Sequence, residues 1–287
     1  MEIKTVGVVG GGTMGHGIAQ LLMRHGLAVI LHDVSEKFLA NARERIARGL
    51  SREVEKGRLI EKEKPEALSR LETTTDLEPL ESSDFVVEAV TENFEVKVAV
   101  FRALEAHCRP EVIFASNTSS ISITRLAAQT RRPAKFVGMH FFNPVPVMKL
   151  VEVVPGLQTA AETVQAAEDL AARLDKTPVR VNDFPGFVSN RVLMPMINEA
   201  VYCVMEGVAE PQGVDGVMKL GMNHPMGPLE LADLIGLDVC LDILKVLYEG
   251  FRDSKYRPCP LLEKMVNAGR LGRKAGRGFY EYREAKS

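Results

Sequence analysis

The run Val6-Gly7-Val8-Val9 passes directly into Gly10-Gly11-Gly12-Thr13-Met14-Gly15, and this junction restricts the fold more than any other part of the chain. A short β-branched run stopped by glycines reads as a strand buried on both faces of a parallel sheet. The apolar residues Ile18, Ala19, Leu22 and Met23 that follow have helical spacing. Strand, G-x-G-x-x-G turn and helix in that order make a phosphate cradle. The glycines permit a tight turn and close approach of backbone to a pyrophosphate, and the helix start supplies free N–H groups and positive dipole. Gly10, Gly12, Thr13, Met14 and Gly15 are therefore the expected cofactor-binding turn. A second strand, Ala28-Val29-Ile30-Leu31, ends at His32-Asp33, about twenty residues past the glycines. Asp33 can accept both hydroxyls of an adenosine ribose and would repel a 2′-phosphate, which predicts NAD rather than NADP.

Further β-type runs at Leu71 to Thr75, Phe85 to Val87, Val112 to Ala115 and Phe136 to Met139 alternate with helical patterns such as Glu95 to His107. Such alternation predicts an α/β, Rossmann-type, doubly wound and mainly parallel sheet. A last β-type run, Pro178 to Val181, completes it. From Phe187 onward the patterns are helical: Val192 to Glu206, Pro211 to Leu220, Leu229 to Ile235, Val239 to Tyr248 and Leu261 to Ala268. At 287 residues two domains are expected. They are a cofactor-binding domain over 1–184, with an inserted basic helical segment, and an all-helical domain over 185–287. Gly227-Pro228-Leu229 and Gly276 to Tyr280 read as turn and capping chemistry.

Lys plus Arg (36) nearly cancel Asp plus Glu (38), so no global field would hold the chain on nucleic acid or an anionic membrane. The exception is local. Ser35 to Gly57 carries Lys37, Arg43, Arg45, Arg48, Arg52 and Lys56, enough to meet a phosphorylated ligand outside the dinucleotide cradle. Four scattered cysteines, Cys108, Cys203, Cys240 and Cys259, form no metal or disulfide spacing and read as buried thiols in a reducing compartment, with no metal site expected. The amino terminus runs into a strand without a signal series, so a cytoplasmic protein is expected.

Ligands in doubly wound sheets sit at the carboxyl ends of the strands. Those ends offer Glu88 with Thr91-Glu92-Asn93, then Ser116 to Ser120, then His140-Phe141-Phe142-Asn143-Pro144. His16, His25, His32, His107 and His224 suit structural or solvated roles. His140 alone stands at a strand end on the cofactor side, where an imidazole can take a proton from an alcohol as hydride leaves its carbon. Such a base needs a partner on its other ring nitrogen. If the chain turns back after Phe142 to Pro146 as an antiparallel strand, Glu152 comes beside His140; otherwise Glu152 is an exposed strand carboxylate. Ser119 follows a strand, where hydroxyls commonly cap the next helix, and Asn190 follows Pro185-Gly186 punctuation before a long helical pattern, where capping or interdomain hydrogen bonding is the ordinary role.

At these residues the chain resembles the short-chain L-3-hydroxyacyl-CoA dehydrogenase family, bacterial 3-hydroxybutyryl-CoA dehydrogenases above all. Met139 to Glu152 carries the most specific motif, and matching blocks extend from Gly10 to Tyr282. The resemblance implies NAD-dependent interconversion of (S)-3-hydroxyacyl-CoA and 3-ketoacyl-CoA, with His140 as acid/base and Glu152 orienting it. It implies that Ser119 and Asn190 hydrogen-bond the reacting region of the substrate, polarising the 3-oxygen or the enolisable thioester. Glu92, Lys97 and Asn143 match positions at the NAD ribose and nicotinamide, and Ser51, Arg52 and Lys56 match the region meeting the coenzyme A adenine and 3′-phosphate. It also implies an acyl-coenzyme A partner and a homodimer formed through the helical domain. A related expectation is a lambda-crystallin-like 3-hydroxy acid or sugar-acid dehydrogenase without coenzyme A, against which the basic helix argues. A non-catalytic NAD-binding protein is the expectation from another class, and the intact His140, Glu152, Ser119 and Asn190 set argues against it.

Overall fold

The structure, a computed structural model, describes residues 2–282. The chain divides between Phe184 and Pro185 into two compact units. Elements of the first unit, in order, are β1 (Thr5–Val9), α1 (Thr13–Arg24), β2 (Ala28–His32), α2 (Glu36–Glu55), α3 (Glu63–Leu68), β3 (Leu71–Thr74), β4 (Phe85–Glu88), α4 (Phe94–His107), β5 (Ile113–Ser116), α5 (Ile123–Ala127), β6 (Phe136–Phe141), β7 (Leu150–Pro155), α6 (Ala161–Arg173) and β8 (Thr177–Arg180). The strands form one sheet in the order β3-β2-β1-β4-β5-β6-β7-β8. Neighbours from β3 to β6 are parallel, β7 runs antiparallel to β6, and β8 is parallel to β7.

The apolar composition of the central strands explains their place. β4, β5 and β6 are buried at every residue, as strands covered on both faces must be. Ile18, Leu21 and Leu22 of α1 pack with Val6 and Val8 of β1 and with Leu39, Ile46 and Leu50 of α2 in one core. β1 leads to β2 on one side and has β4 on the other, so the switch in strand order opens at the carboxyl ends of β1 and β4.

Three strands run further than their apolar residues alone suggest. β4 and β5 include Glu88 and Ser116, which face each other in the ladder, and Ser116 Oγ donates to Glu88 Oε2 at 2.6 Å. A polar pair that satisfies itself can stay in a buried sheet. β6 likewise continues through His140, which has a partner on β7. Helix α6 escapes the periodicity reading because alanines form much of its buried face, Val164, Ala167, Leu170 and Ala171.

The second unit contains α7 (Ser189–Met205), α8 (Pro211–Gly221), α9 (Pro228–Ile235), α10 (Leu237–Phe251) and α11 (Pro260–Asn267). Its core joins Met194, Ile197 and Val201 of α7 to Leu229 of α9, Leu241, Leu244 and Leu247 of α10 and Leu262 of α11. Two buried carboxylates tie its loops. Asp215 accepts from Leu229 N at 2.8 Å, Glu230 N at 2.9 Å and Tyr280 Oη at 2.7 Å, so it caps the start of α9. Asp233 accepts from Phe279 N, Tyr280 N and Tyr282 Oη, each at 3.0 Å. A side chain at Gly278 would overlap the Asp233 carboxylate, which gives that glycine its structural reason.

Of the cysteines, Cys108, Cys240 and Cys259 are buried as expected, whereas Cys203 is half-buried and lies outside the buried set of α7. Burial pushes the Cys108 thiol up to about 11 and that of Cys240 to about 12. No helix among the described residues is long and apolar enough to cross a membrane, and no cluster there has the makings of a metal site.

Candidate active site

The glycine turn sits at the carboxyl end of β1. Gly10 adopts φ +107°, and a Cβ there would lie 2.6 Å from the Ala89 carbonyl oxygen beyond β4. A Cβ on Gly15 would overlap the Gly10 carbonyl, so helix and turn are in contact only because both residues are glycines. A Cβ on Gly12 would meet nothing within 4 Å. Backbone is thus bare at the start of α1, where no side chain caps the helix and its first turn holds no acidic residue. These free N–H groups and the helix dipole suit a pyrophosphate. Asp33 is tied to the same turn: its Oδ2 accepts from Gly11 N at 2.8 Å and its Oδ1 from Ser35 N at 3.0 Å. Each oxygen keeps a lone pair for a ribose hydroxyl. The residues present therefore fit a dinucleotide.

Glu152 stands opposite His140 in the antiparallel β6–β7 ladder. The imidazole Nδ1 donates to Glu152 Oε2 at 2.8 Å, with His140 8% exposed and Glu152 2%. A carboxylate on Nδ1 assigns the proton to that nitrogen and leaves Nε2 as the acceptor. The Phe142 ring lies 4.5 Å from the imidazole, centroid to centroid, and restricts its rotation.

Ser119 belongs to a loop gathered around one carboxylate. Glu92 Oε1 accepts from Thr118 Oγ1 at 2.6 Å, Ser119 N at 3.0 Å, Ser120 N at 3.1 Å and Ser120 Oγ at 2.9 Å. Lys97, at 1% exposure, lies beneath: its Nζ is 2.6 Å from Glu88 Oε1 and 3.4 Å from Glu92 Oε2. Burial alone would raise the Glu92 carboxyl, but the Lys97 charge and the hydroxyl and N–H donors outweigh it and hold it below the ordinary glutamate value. Burial wins at Glu88, whose carboxyl lies above that value despite Lys97.

The loop between β6 and β7 carries Asn143, which is exposed and precedes a cis peptide bond to Pro144. Lys176 anchors this loop from beneath, donating to Val145 O at 2.7 Å and Met148 O at 2.8 Å. Arg52 on α2 and Lys56 just past its end are exposed, while half-buried Ser51 of α2 donates to Ala47 O at 3.0 Å and accepts from Lys64 Nζ at 2.8 Å. Lys64 of α3 thereby joins the basic patch, a residue that helical composition around Ser51 does not indicate. Asn190 belongs to the second unit: it is buried in the first turn of α7, with its N–H donating to Gly186 O at 3.1 Å.

The structure thus brings together His140 with Glu152, Ser119 with Glu92 and Lys97, and Asp33 with the glycine turn. Sequence reasoning gave no duty to Ser116, Asn117, Thr118, Ser120, Lys176 or Asp183. Asp183 accepts from Ser122 Oγ, Ile123 N and Thr124 N and so caps α5 from a distant loop. Their only signal is a polar residue beside a strand end, and many solvated loops share it. Of the other histidines, His16 and His25 donate from Nδ1 to the carbonyls of Gly12 and Leu21, and His32 uses Nε2 against Thr75 O, all structural uses.

Comparison with known proteins agrees with this geometry. The model for the 3-hydroxyacyl-CoA dehydrogenase NAD binding domain matches residues 5–184, and that for the family's C-terminal domain matches 186–282. A probable 3-hydroxybutyryl-CoA dehydrogenase of Bacillus subtilis is 55% identical over 287 residues, covering 100% of both chains. The 3-hydroxybutyryl-CoA dehydrogenase of Bradyrhizobium diazoefficiens is 52% identical over 99% of this chain and 97% of its own. The crystal structure of (S)-3-hydroxybutyryl-CoA dehydrogenase from Ralstonia eutropha superposes with TM-score 0.96 at 50% identity, covering 99% of this chain and 100% of that one. With a glycine cradle, a paired histidine and both domain models matched in order, the chain belongs to the 3-hydroxyacyl-CoA dehydrogenase family.

Proposed function

We infer that this protein is an NAD-dependent dehydrogenase that interconverts (S)-3-hydroxyacyl-CoA, 3-hydroxybutyryl-CoA in particular, and the corresponding 3-ketoacyl-CoA. The observation that carries the chemistry is the 2.8 Å contact between His140 Nδ1 and Glu152 Oε2 at the carboxyl end of β6. When bound, NAD supplies the hydride acceptor in oxidation and, reduced, the hydride donor in reduction. The chain supplies everything else. His140 Nε2 takes the proton of the 3-hydroxyl in oxidation and returns it to the 3-oxygen in reduction. Glu152 fixes the ring and its tautomer and stabilises the imidazolium.

Ser119 is proposed to donate to the 3-oxygen, and Asn190 to hydrogen-bond the reacting region, where donors aimed at developing charge favour the transition state. Glu92 shapes the Ser119 loop and faces the cofactor ribose, with Lys97 carrying the charge beneath it. Asn143 is assigned to the nicotinamide side, and Gly10, Gly12, Thr13, Met14, Gly15 and Asp33 to the pyrophosphate and adenosine. Ser51, Arg52 and Lys56 are assigned to the coenzyme A phosphates. The relatives named above are 3-hydroxybutyryl-CoA dehydrogenases, so a reading without coenzyme A is not favoured.

We assign the functional domains to 1–184 and 185–287, the reaction to the cytoplasm, and a homodimer to the helical unit. For the dimer, the support is its exposed apolar residues Val192, Val217, Leu220 and Met222. Sedimentation equilibrium giving only a 31.6 kDa species would remove it.

The test of the reaction is acetoacetyl-CoA-dependent oxidation of NADH. The wild type turns over, and His140→Gln binds NADH normally while losing about a thousandfold in kcat. Near-normal turnover by His140→Gln overturns the mechanism.

A further inference from the structure

We propose that Asn117 is a positioning residue that locks the strand end bearing His140 to the loop bearing Ser119; this rests on the roles just given to those two residues. The observation is a mismatch in strand length. β5 pairs with β4 as far as Glu88↔Ser116, and with β6 only as far as Ser116↔Gly138. β6 continues through Met139, His140 and Phe141 with ladder partners on β7 alone. On the β5 side the Asn117 side chain takes the place of the missing strand: its Oδ1 accepts from Phe141 N at 3.0 Å. Its own N–H donates to Glu88 O at 2.8 Å, so the same residue is fastened to β4.

Phe141 is buried at 2% exposure, and the half-buried Asn117 supplies the acceptor that its N–H needs. The Phe141 peptide is the one that follows His140. Two residues after Asn117 in the other direction stands Ser119, whose N–H is held by Glu92. One side chain therefore sets the spacing between the proton-transferring ring and the loop hydroxyl. Neither Glu152 nor Glu92 does this, since Glu152 acts across the β6–β7 ladder and Glu92 within the 118–120 loop.

Loss of that link leaves the glycine turn and Asp33 intact, because among the described residues no hydrogen bond of Asn117 reaches them. The cost falls on alignment of the reacting groups, where displacements of about 1 Å can cost up to roughly a hundredfold in rate. The experiment is steady-state reduction of acetoacetyl-CoA by NADH in the wild type, Asn117→Leu and Asn117→Asp, with thermal melting of each. Asn117→Leu is expected to lower kcat about thirtyfold while KM for NADH stays within about twofold. Asn117→Asp keeps an acceptor oxygen and is expected to recover at least about a third of wild-type kcat. If Asn117→Leu does not fold, Asn117→Ala replaces it with the same expected outcome. An active wild type with an undiminished kcat in the folded Leu or Ala variant overturns the positioning role alone. So does an Asp variant as slow as the Leu variant. An inactive wild type overturns the functional reading instead, and the positioning role with it.

Discussion

Each unit holds a close pair of carboxylates, Glu88 with the partly exposed Glu92 in the sheet unit and the buried Asp215 with Asp233 in the helical unit, and the two pairs are stabilised in opposite ways. In the sheet unit, Glu88 and Glu92 share the Lys97 ammonium, with hydroxyl and N–H donors completing the shell. In the helical unit, Asp215 and Asp233 collect backbone N–H groups and two tyrosine hydroxyls, and no cation pairs with either among the described residues. The difference matches what each cluster holds. A cation can balance a carboxylate whose remaining lone pairs are needed to shape a loop, as Glu92 does for Thr118 to Ser120. A shell of neutral donors suffices where the carboxylate only fastens a turn, as Asp233 does for Phe279 to Tyr282. The first cluster should therefore couple stability to activity, and the second should affect stability alone.

The sharpest way to break that contrast is Lys97→Met. It leaves Glu88 buried without its cation and removes the charge beneath Glu92. Breaking a buried ion pair from one side costs about 3–5 kcal/mol. Urea unfolding should show that loss, and the fraction that remains folded should turn over acetoacetyl-CoA at least about tenfold more slowly as the Ser119 loop loosens. A stable Lys97→Met enzyme with normal kcat would mean that the cluster neither holds the loop nor needs its cation.

This contrast also explains what could be read from residues alone. The glycine turn, the acid at Asp33 and the alternating strands were legible because each is a local pattern with a fixed physical cause. The His140–Glu152 pair was legible as a condition, since only an antiparallel return at Phe142 to Pro146 makes the pair, and the β6–β7 register meets that condition. Lys97 and Glu92 were visible through family resemblance, but their mutual contact was not, because a helix and a loop meet there without any shared periodicity. Asn117 and Lys176 were invisible for a further reason. Both act by hydrogen bonds to backbone, and backbone leaves no mark on the sequence of the partner. Asp215 and Asp233 lay outside the motif reading altogether, although the glycines that make room for them, Gly227 and Gly278, were recognised as turn positions.

Asp233→Leu is the corresponding break in the helical unit. It strands the Phe279 and Tyr280 N–H groups and the Tyr282 hydroxyl, at about 1–3 kcal/mol for a buried donor left unmade. The melting temperature should fall while kcat of the folded enzyme stays unchanged. A large kcat loss without a stability loss would show that the second cluster serves the reaction too. Tyr282→Phe removes only one of the three donors and should cost about 0.5–1.5 kcal/mol. That result sharpens the comparison by measuring a single neutral donor on a carboxylate that has no cation.

The smallest expected effect is a difference in sign between the clusters as pH falls. Glu92 is held below its ordinary value of 4.5, because Lys97 and the loop donors outweigh burial. Its contribution to stability is thus complete above that value and is lost as pH drops through the folded one. Asp233 is displaced the other way. Burial first, with Asp215 nearby, lifts its carboxyl above 3.8 despite the donors from Phe279, Tyr280 and Tyr282. Its contribution is complete below the ordinary value and declines as pH rises through the folded one. Urea midpoints of wild type, Glu92→Gln and Asp233→Asn, measured between about pH 3.5 and 7, separate the two. The gap between wild type and Glu92→Gln should narrow toward acid, and the gap to Asp233→Asn should widen. Gaps that narrow together toward acid would mean that both carboxylates are stabilised as anions, and that a shell of neutral donors does the work of an ammonium.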